Sequence, residues 1–251
     1  MLSALKVRIS QGRQYIVDLR AARPAGFRGL PVLAPGECAP GCAACAEACA
    51  TKAILLDPLR LDLGRCVFCG DCVAACGPGK ITFTTDPRMA SASREGLLIK
   101  EGPAAPPAVS VSAELKRLFG RSLKLRSVSA GGCNGCELEL NALGNVNFDL
   151  GRYGIEFVAS PRHADALVLS GPITRNMGEA LDLAWAAMPA PKFVIAVGAC
   201  AISGEPFGAS PQLDRAFLDR FVPSLYVPGC PPHPLTFING ILDLLGIDLP
   251  A

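Results

Sequence analysis

The sequence predicts a chain in two parts: an α+β unit over residues 1–100 and an α/β unit with a mainly parallel sheet over 114–251, joined by a linker over 101–113. Three observations predict this. The first eight of twelve cysteines crowd between Cys38 and Cys76, whereas the last four are spread from Cys133 to Cys230. Between the two groups, residues 101–112 hold Pro103, Pro106 and Pro107 among Ala and Ser, a composition that sustains neither helix nor central strand. Beyond it, apolar runs alternate with helical patterns, as strands laid parallel with helices between them require.

Within the first unit a cysteine cluster followed by a short apolar segment occurs twice, at 38–56 and again at 66–83, so a pseudo-twofold duplication is expected. In the second unit the apolar runs 123–128, 155–159, 166–170, 193–197 and 225–227 read as strands, and 179–188 as a helix. Leu235, Ile238, Leu242 and Leu245 are spaced 3, 4 and 3 apart, which gives one narrow apolar face to a last helix, interrupted by Asp243 and Asp248.

With 251 residues and an apolar fraction of 50%, the chain can bury a sizeable core, and no run approaches the roughly 18 uncharged apolar residues of a membrane span. The formal charge of +2 gives no footprint for nucleic acid, and it turns negative if the cysteines act as thiolates. A local bias lies in residues 1–30, where Lys6, Arg8, Arg13, Arg20, Arg23 and Arg28 face only Asp18. This basic arm is expected to be solvated surface. It is too poor in Ser for a transit peptide, and residues 1–11 lack the apolar core and the twin arginines of export signals. A reducing compartment is therefore expected, which turns twelve cysteines toward metal rather than disulfides.

The strongest local pattern is Cys66-Val-Phe-Cys69-Gly-Asp-Cys72-Val-Ala-Ala-Cys76, a C-x2-C-x2-C-x3-C run. Three such thiolates can wrap three corners of an iron–sulfur cubane, and in two-cluster ferredoxins the fourth cysteine ligates the other cluster. The companion run is Cys38, Cys42, Cys45 and Cys49, with three residues in its first gap, and Ala50 and Gly77 stand where the bacterial motif has proline. Crossing the fourth ligands assigns one [4Fe-4S] cluster to Cys38, Cys42, Cys45 and Cys76, and a second to Cys66, Cys69, Cys72 and Cys49. Zinc also takes C-x2-C pairs, but one four-ligand site does not explain duplicated runs of three with a fourth.

Cys133 and Cys136 follow the first predicted strand of the second unit, Cys200 follows 193–197, and Cys230 follows 225–227. Ligands of doubly wound sheets collect at the carboxyl ends of the strands, so four distant cysteines converge on one edge as a third [4Fe-4S] site. Gly131, Gly132, Gly135, Gly198 and Gly229 flank them and free backbone amides to approach cluster sulfurs.

The motifs Gly131-Gly-Cys-Asn-Gly-Cys-Glu-Leu-Glu139, Ser160-Pro-Arg-His-Ala-Asp165, Gly198-Ala-Cys200 and Pro228-Gly-Cys-Pro-Pro232 resemble the small subunit of energy-converting, formate hydrogenlyase-like [NiFe] hydrogenases of group 4. Residues 27–85 resemble the two-cluster ferredoxin subunit of the same complexes and of respiratory complex I. The resemblance implies a ferredoxin-like domain fused to a flavodoxin-like one, with Cys133, Cys136, Cys200 and Cys230 holding the cluster proximal to a bimetallic site in a separate large subunit. The related 20 kDa subunit of complex I carries two adjacent cysteines where this chain has C-x2-C, which favours the hydrogenase branch. Fusion keeps consecutive carriers at high effective concentration.

Three clusters use all twelve thiolates and leave none for nickel, so the expected role is electron relay without catalysis by this chain alone. The implied partners are a hydrogenase-type large subunit, membrane subunits and an electron donor or acceptor protein, with the chain peripheral on the cytoplasmic face of the inner membrane. One rival is the same relay in a nickel-free quinone or ferredoxin oxidoreductase. Another is a zinc-stabilised scaffold. Glu137 and Glu139 fit a helix amino terminus favoured by the dipole, and His163 and His233 fit turn or helix-start positions. None of these four is needed as a ligand.

Overall fold

The structure is a computed structural model that describes residues 2–12, 14–103, 105–107, 109, 113–120 and 122–247. Arg13 of the basic arm, linker positions 104, 108 and 110–112, and Asp248 of the predicted last helix lie outside the described residues.

The first unit opens on α1 (Leu2–Gln11), whose described side chains are all exposed. It continues through β1 (Pro31–Leu33), α2 (Ala44–Glu47), β2 (Ile54–Leu55), β3 (Arg60–Asp62), α3 (Asp71–Ala75), β4 (Ile81–Phe83) and β5 (Leu98–Lys100). β1 pairs antiparallel with β4, and β3 pairs antiparallel with both β2 and β5. The sequence duplication appears as one short helix then one strand, α2 with β2 and α3 with β4, each helix carrying the third cysteine of its run and each strand following the fourth.

The second unit runs α4 (Ala113–Phe119), β6 (Leu123–Ser129), α5 (Gly135–Ala142), β7 (Ile155–Phe157), β8 (Ala166–Ser170), α6 (Arg175–Ala187), β9 (Phe193–Val197), α7 (Ala199–Ser203), α8 (Ala216–Arg220), β10 (Leu225–Val227) and α9 (Pro234–Leu245). Five strands form one wholly parallel sheet in the order β10-β9-β8-β6-β7. β7 stops two residues short of the predicted run because Arg126 Nη1 takes the Ala159 carbonyl at 2.7 Å, just past the last ladder bond from Val158 N to Leu125 O. α6 begins four residues before the predicted 179, since its exposed first residues, Arg175 and Asn176, interrupt the apolar rhythm.

Alternation along the strands divides the core. Leu123, Leu125, Ala166, Val168, Phe193, Ile195, Leu225 and Val227 join α4 and α9, while Leu167, Leu169, Val194, Ala196 and Tyr226 join α6, α7 and α8. The second group is continuous with Leu61, Leu63, Met89 and Leu97, so the first unit shares one apolar core with this face of the sheet. Ser91 and Tyr226 stitch the units together, each accepting from the other's backbone N–H at 3.0 and 2.8 Å.

The last helix corrects the expectation of a narrow stripe: every residue of α9 but Asp243 is buried. A helix apolar all round is one covered on all sides. Here the sheet and α4 cover one part, Ala90 sits where a Cβ at Gly240 would come within 2.4 Å, and Ile16, Leu19 and Ala22 cover another. Asn239 Nδ2 donates to Leu19 O at 3.0 Å, and Arg20 pairs with Asp243 at 2.6 Å. The basic arm is thus solvated at Lys6 and Arg8, while Arg20 is tied to α9.

Candidate metal centres

At the carboxyl ends of β6, β9 and β10 the chain leaves the sheet through three cysteine loops. Cys133 lies just after β6, Cys136 in the first turn of α5, Cys200 in the first turn of α7 directly after β9, and Cys230 between β10 and α9. The structure brings the four together: thiols of Cys200, Cys230 and Cys133 all act on Cys136. Backbone shape makes the approach feasible. Gly198 has φ +89°, and a Cβ there would lie 2.7 Å from Cys136 Sγ; at Gly229, φ +148°, a Cβ would strike Pro232 Cα at 2.2 Å. Only glycine serves at either turn.

In the first unit, Cys38, Cys42 and Cys45 line one open cavity of about 450 Å³ together with Lys80 and Glu101. Cys76 and Cys38 both act on Cys45, so this group gathers Cys76 from the other run. Cys49, Cys66, Cys69 and Cys72 line a second, tighter cavity of about 20 Å³. Two backbone amides already point at sulfur there, Phe68 N to Cys66 Sγ at 3.3 Å and Ala53 N to Cys49 Sγ at 3.2 Å. Amides so placed are the donors that stabilise cluster-bound sulfur. Among the described residues no three His, Cys, Asp or Glu side chains close up tightly enough to hold a single metal ion. Four gathered thiols lining a cavity suit a larger inorganic core, and the donor set is the all-thiolate one that [4Fe-4S] clusters take.

Burial pushes the Cys66 and Cys136 thiols up to about 12, and Cys72 and Cys200 to about 11, with neighbouring thiols adding to each. These sulfurs are protonated at neutral pH without metal, and binding of iron must displace the protons. Beside Cys136, burial acts to raise the Glu137 carboxyl, yet the Ser129 and Ser170 hydroxyls outweigh it and hold it below the usual range. Ser170 Oγ donates to Glu137 Oε1 at 2.6 Å. Glu139 is raised by burial. His233 caps α9, its Nδ1 accepting from Leu235 N at 3.0 Å, and His163 is exposed in a short turn. Both stand where the sequence puts them.

The loop between Cys66 and Cys69 faces the loop of Cys230 across a cavity of about 290 Å³, lined by Arg28, Val67 and Phe68 on one side and Cys230, Pro231 and His233 on the other. Beside it, Gly64 backs onto Ile202, where a Cβ would come within 2.7 Å, and Arg65 pairs with Glu205 at 2.7 Å. Sequence reasoning missed the arginines at these loops. Arg28 Nη1 donates to Phe68 O at 3.0 Å and Cys69 O at 2.6 Å. Arg215 reaches the carbonyls of α7, a contact with no local signal in the sequence.

Fold and site define the class: a doubly wound α/β chain that presents a thiol quartet at the carboxyl edge of its sheet. Residues 133–244 match the family described as NADH ubiquinone oxidoreductase, 20 Kd subunit. The chain is 42% identical over 131 residues to the probable membrane-bound hydrogenase subunit mbhJ of Pyrococcus furiosus, a match covering 52% of this chain and 78% of that one. It is 41% identical over 141 residues to formate hydrogenlyase subunit 7 of Escherichia coli, covering 55% of this chain and 54% of that one. To a subunit of the NADH-quinone oxidoreductase of Bacteroides thetaiotaomicron it is 42% identical over 111 residues, covering 43% of this chain and 56% of that one. The chain belongs to the 20 kDa subunit family of NADH ubiquinone oxidoreductase, and its similarity runs to hydrogenase and quinone-reductase subunits alike. The family match begins at Cys133, so the first eight cysteines lie outside it.

Proposed function

We propose that this chain is an electron-relay subunit of a hydrogenase-type complex that carries current through three [4Fe-4S] clusters. The first is held by Cys38, Cys42, Cys45 and Cys76, the second by Cys66, Cys69, Cys72 and Cys49, and the third by Cys133, Cys136, Cys200 and Cys230. Residues 1–100 form a ferredoxin-like domain in this reading, 101–113 a linker, and 114–251 the domain of the third cluster. Such clusters supply one-electron chemistry when bound. The chain's own part is to hold thiolates, aim amides at sulfur and keep consecutive centres in one rigid body. The observation that carries the proposal is the gathering of Cys133, Cys200 and Cys230 around Cys136 and of Cys49 with Cys66, Cys69 and Cys72, with the loops of Phe68 and Cys230 meeting at one cavity.

All twelve cysteines are then committed, so a bimetallic site belongs to a large subunit supplied from elsewhere. Among the described residues no helix is long and apolar enough to cross a membrane. Attachment to the cytoplasmic face of the inner membrane would come through partner subunits. Anaerobic purification followed by iron, sulfide and zinc analysis tests the relay: about twelve irons per chain, with signals in electron paramagnetic resonance after reduction, is the expected result. Colourless protein loaded with zinc would end it.

A second reading, the same relay in a nickel-free quinone oxidoreductase, is supported by the equal identity to the quinone-oxidoreductase relative. Nickel analysis of the copurified complex separates the two.

A further inference from the structure

We infer that Arg215 is a positioning residue for the third centre, anchoring Cys200 through its backbone and holding a positive charge, outside any close ion pair, near the Cys200 thiol. The inference rests on the reading that Cys133, Cys136, Cys200 and Cys230 hold a [4Fe-4S] cluster.

The geometry is specific. Nη1 of Arg215 donates to the Cys200 carbonyl at 3.1 Å, and Nη2 donates to Ala201 O at 2.7 Å and Ile202 O at 3.0 Å. These carbonyls lie in α7, which is only five residues long: Cys200 O already accepts from Gly204 N at 2.8 Å, and the later Ala201 and Ile202 acceptors are left to other donors. One guanidinium therefore satisfies the Ala201 and Ile202 carbonyls and adds a second donor to the carbonyl of a proposed ligand. The five donors of arginine in a fixed fork make this possible, whereas a lysine offers a single point of charge.

Its charge is attracted by Asp219 but closes no ion pair. Among the described residues the ion pairs do not include Arg215, although Arg94, which acts on it, is neutralised by Asp62. Asp219, one turn further along α8, is exposed. Arg215 is itself half-buried. A charge in such surroundings is screened less than one in water, so its field reaches the Cys200 thiol. Reduction adds one electron, hence one negative charge, to a cluster. A neighbouring cation favours that state and raises the potential, which depends on net charge and on hydrogen bonding around the site. A mere helix cap would stabilise the fold and leave the potential alone.

The test uses the full chain, reconstituted anaerobically and titrated with dithionite as the electron source while paramagnetic resonance follows each cluster. Loss of one signal in Cys200→Ala identifies the third centre. Arg215→Met should lower the reduced-to-oxidised ratio of that signal about tenfold at fixed potential, or about 59 mV for a one-electron couple, with the other two unmoved. Arg215→Lys, which keeps the charge, should recover most of the shift.

An Arg215→Met chain with full iron content and an unmoved third midpoint overturns the inference. So does an Arg215→Lys chain shifted as far as the methionine form. If the methionine form fails to hold the third cluster, the lysine form decides: retention near the original potential upholds the inference, and equal loss overturns it. A parent chain binding only about eight irons would defeat the underlying reading as well, a result distinct from any difference between variants.

Discussion

The two units gather sulfur by opposite means. In the first, each proposed ligand set takes three thiols from one short run and borrows the fourth from the other, so sequence proximity does most of the assembly. In the second, the four thiols come from loops up to 97 residues apart in number, Cys133 to Cys230, and the sheet alone brings them together. Local runs need only a loop; distant ones need the whole fold. The third centre should therefore be the one most sensitive to packing, while the first two answer chiefly to their own loops.

The largest effect expected on this contrast is from the cysteines themselves. Replacing Cys200 by Ser should remove about four irons and one resonance signal, and Cys49→Ser should silence the same signal as Cys69→Ser, with Cys45→Ser and Cys76→Ser silencing another. If Cys49→Ser instead silences the Cys45 signal, the crossing of the fourth ligands is wrong.

Core truncation comes next. Ile238→Ala in α9 and Leu63→Ala in the first unit should each cost about 2–5 kcal/mol, read from denaturant unfolding of the metal-free chain. Because Leu63 belongs to the core that also contains Tyr226, both should shift a single common transition. Two transitions, with Leu63→Ala moving only one, would break the view that the units share a core.

A smaller loss is expected at Gly198, where alanine meets a left-handed backbone and the Cys136 sulfur at once. Gly198→Ala should cost about 1–3 kcal/mol and deplete the third cluster selectively, as measured by iron content alongside thermal unfolding.

The mildest effect is that of pH on the metal-free chain. Cys66 and Cys136 bind their protons more tightly folded, near 12, than at the ordinary thiol value of 9.0. Their contribution to stability is complete below pH 9 and drains away as pH climbs toward 12, by at most about 1.4 kcal/mol per thiol for each step of one in pH. Unfolding midpoints taken at pH 8 and pH 10 should fall with rising pH, and Cys66→Ala should flatten the trend. A slope of the opposite sign would refute the burial of these sulfurs.

Much of this contrast was legible in the sequence. Strands β8, β9 and β10 begin and end where the apolar runs do, and their position before Cys200 and Cys230 foretold which edge those thiols would share. What escaped were contacts without a periodic signature. The burial of α9 on all sides depends on Leu19 and Ala90, residues whose neighbours in sequence give no hint of it. The hold of Arg215 on Cys200 joins loops that only the folded sheet makes adjacent. Arg28 stood in plain view beside Phe27 and Gly29, yet its role as a brace for the Phe68 and Cys69 carbonyls is set by a partner forty residues on.

The hydrogen bond from Asn239 to Leu19 closes a loop of 220 residues. During synthesis the stretch around Leu19 leaves the ribosome early, and its apolar side chains stay uncovered until α9 follows at the far end. Closure on that scale is slow by topology, and surface left bare meanwhile is open to misassociation. Metal loading at the two proposed sites of the first unit would then meet a nascent chain whose final seam is still open.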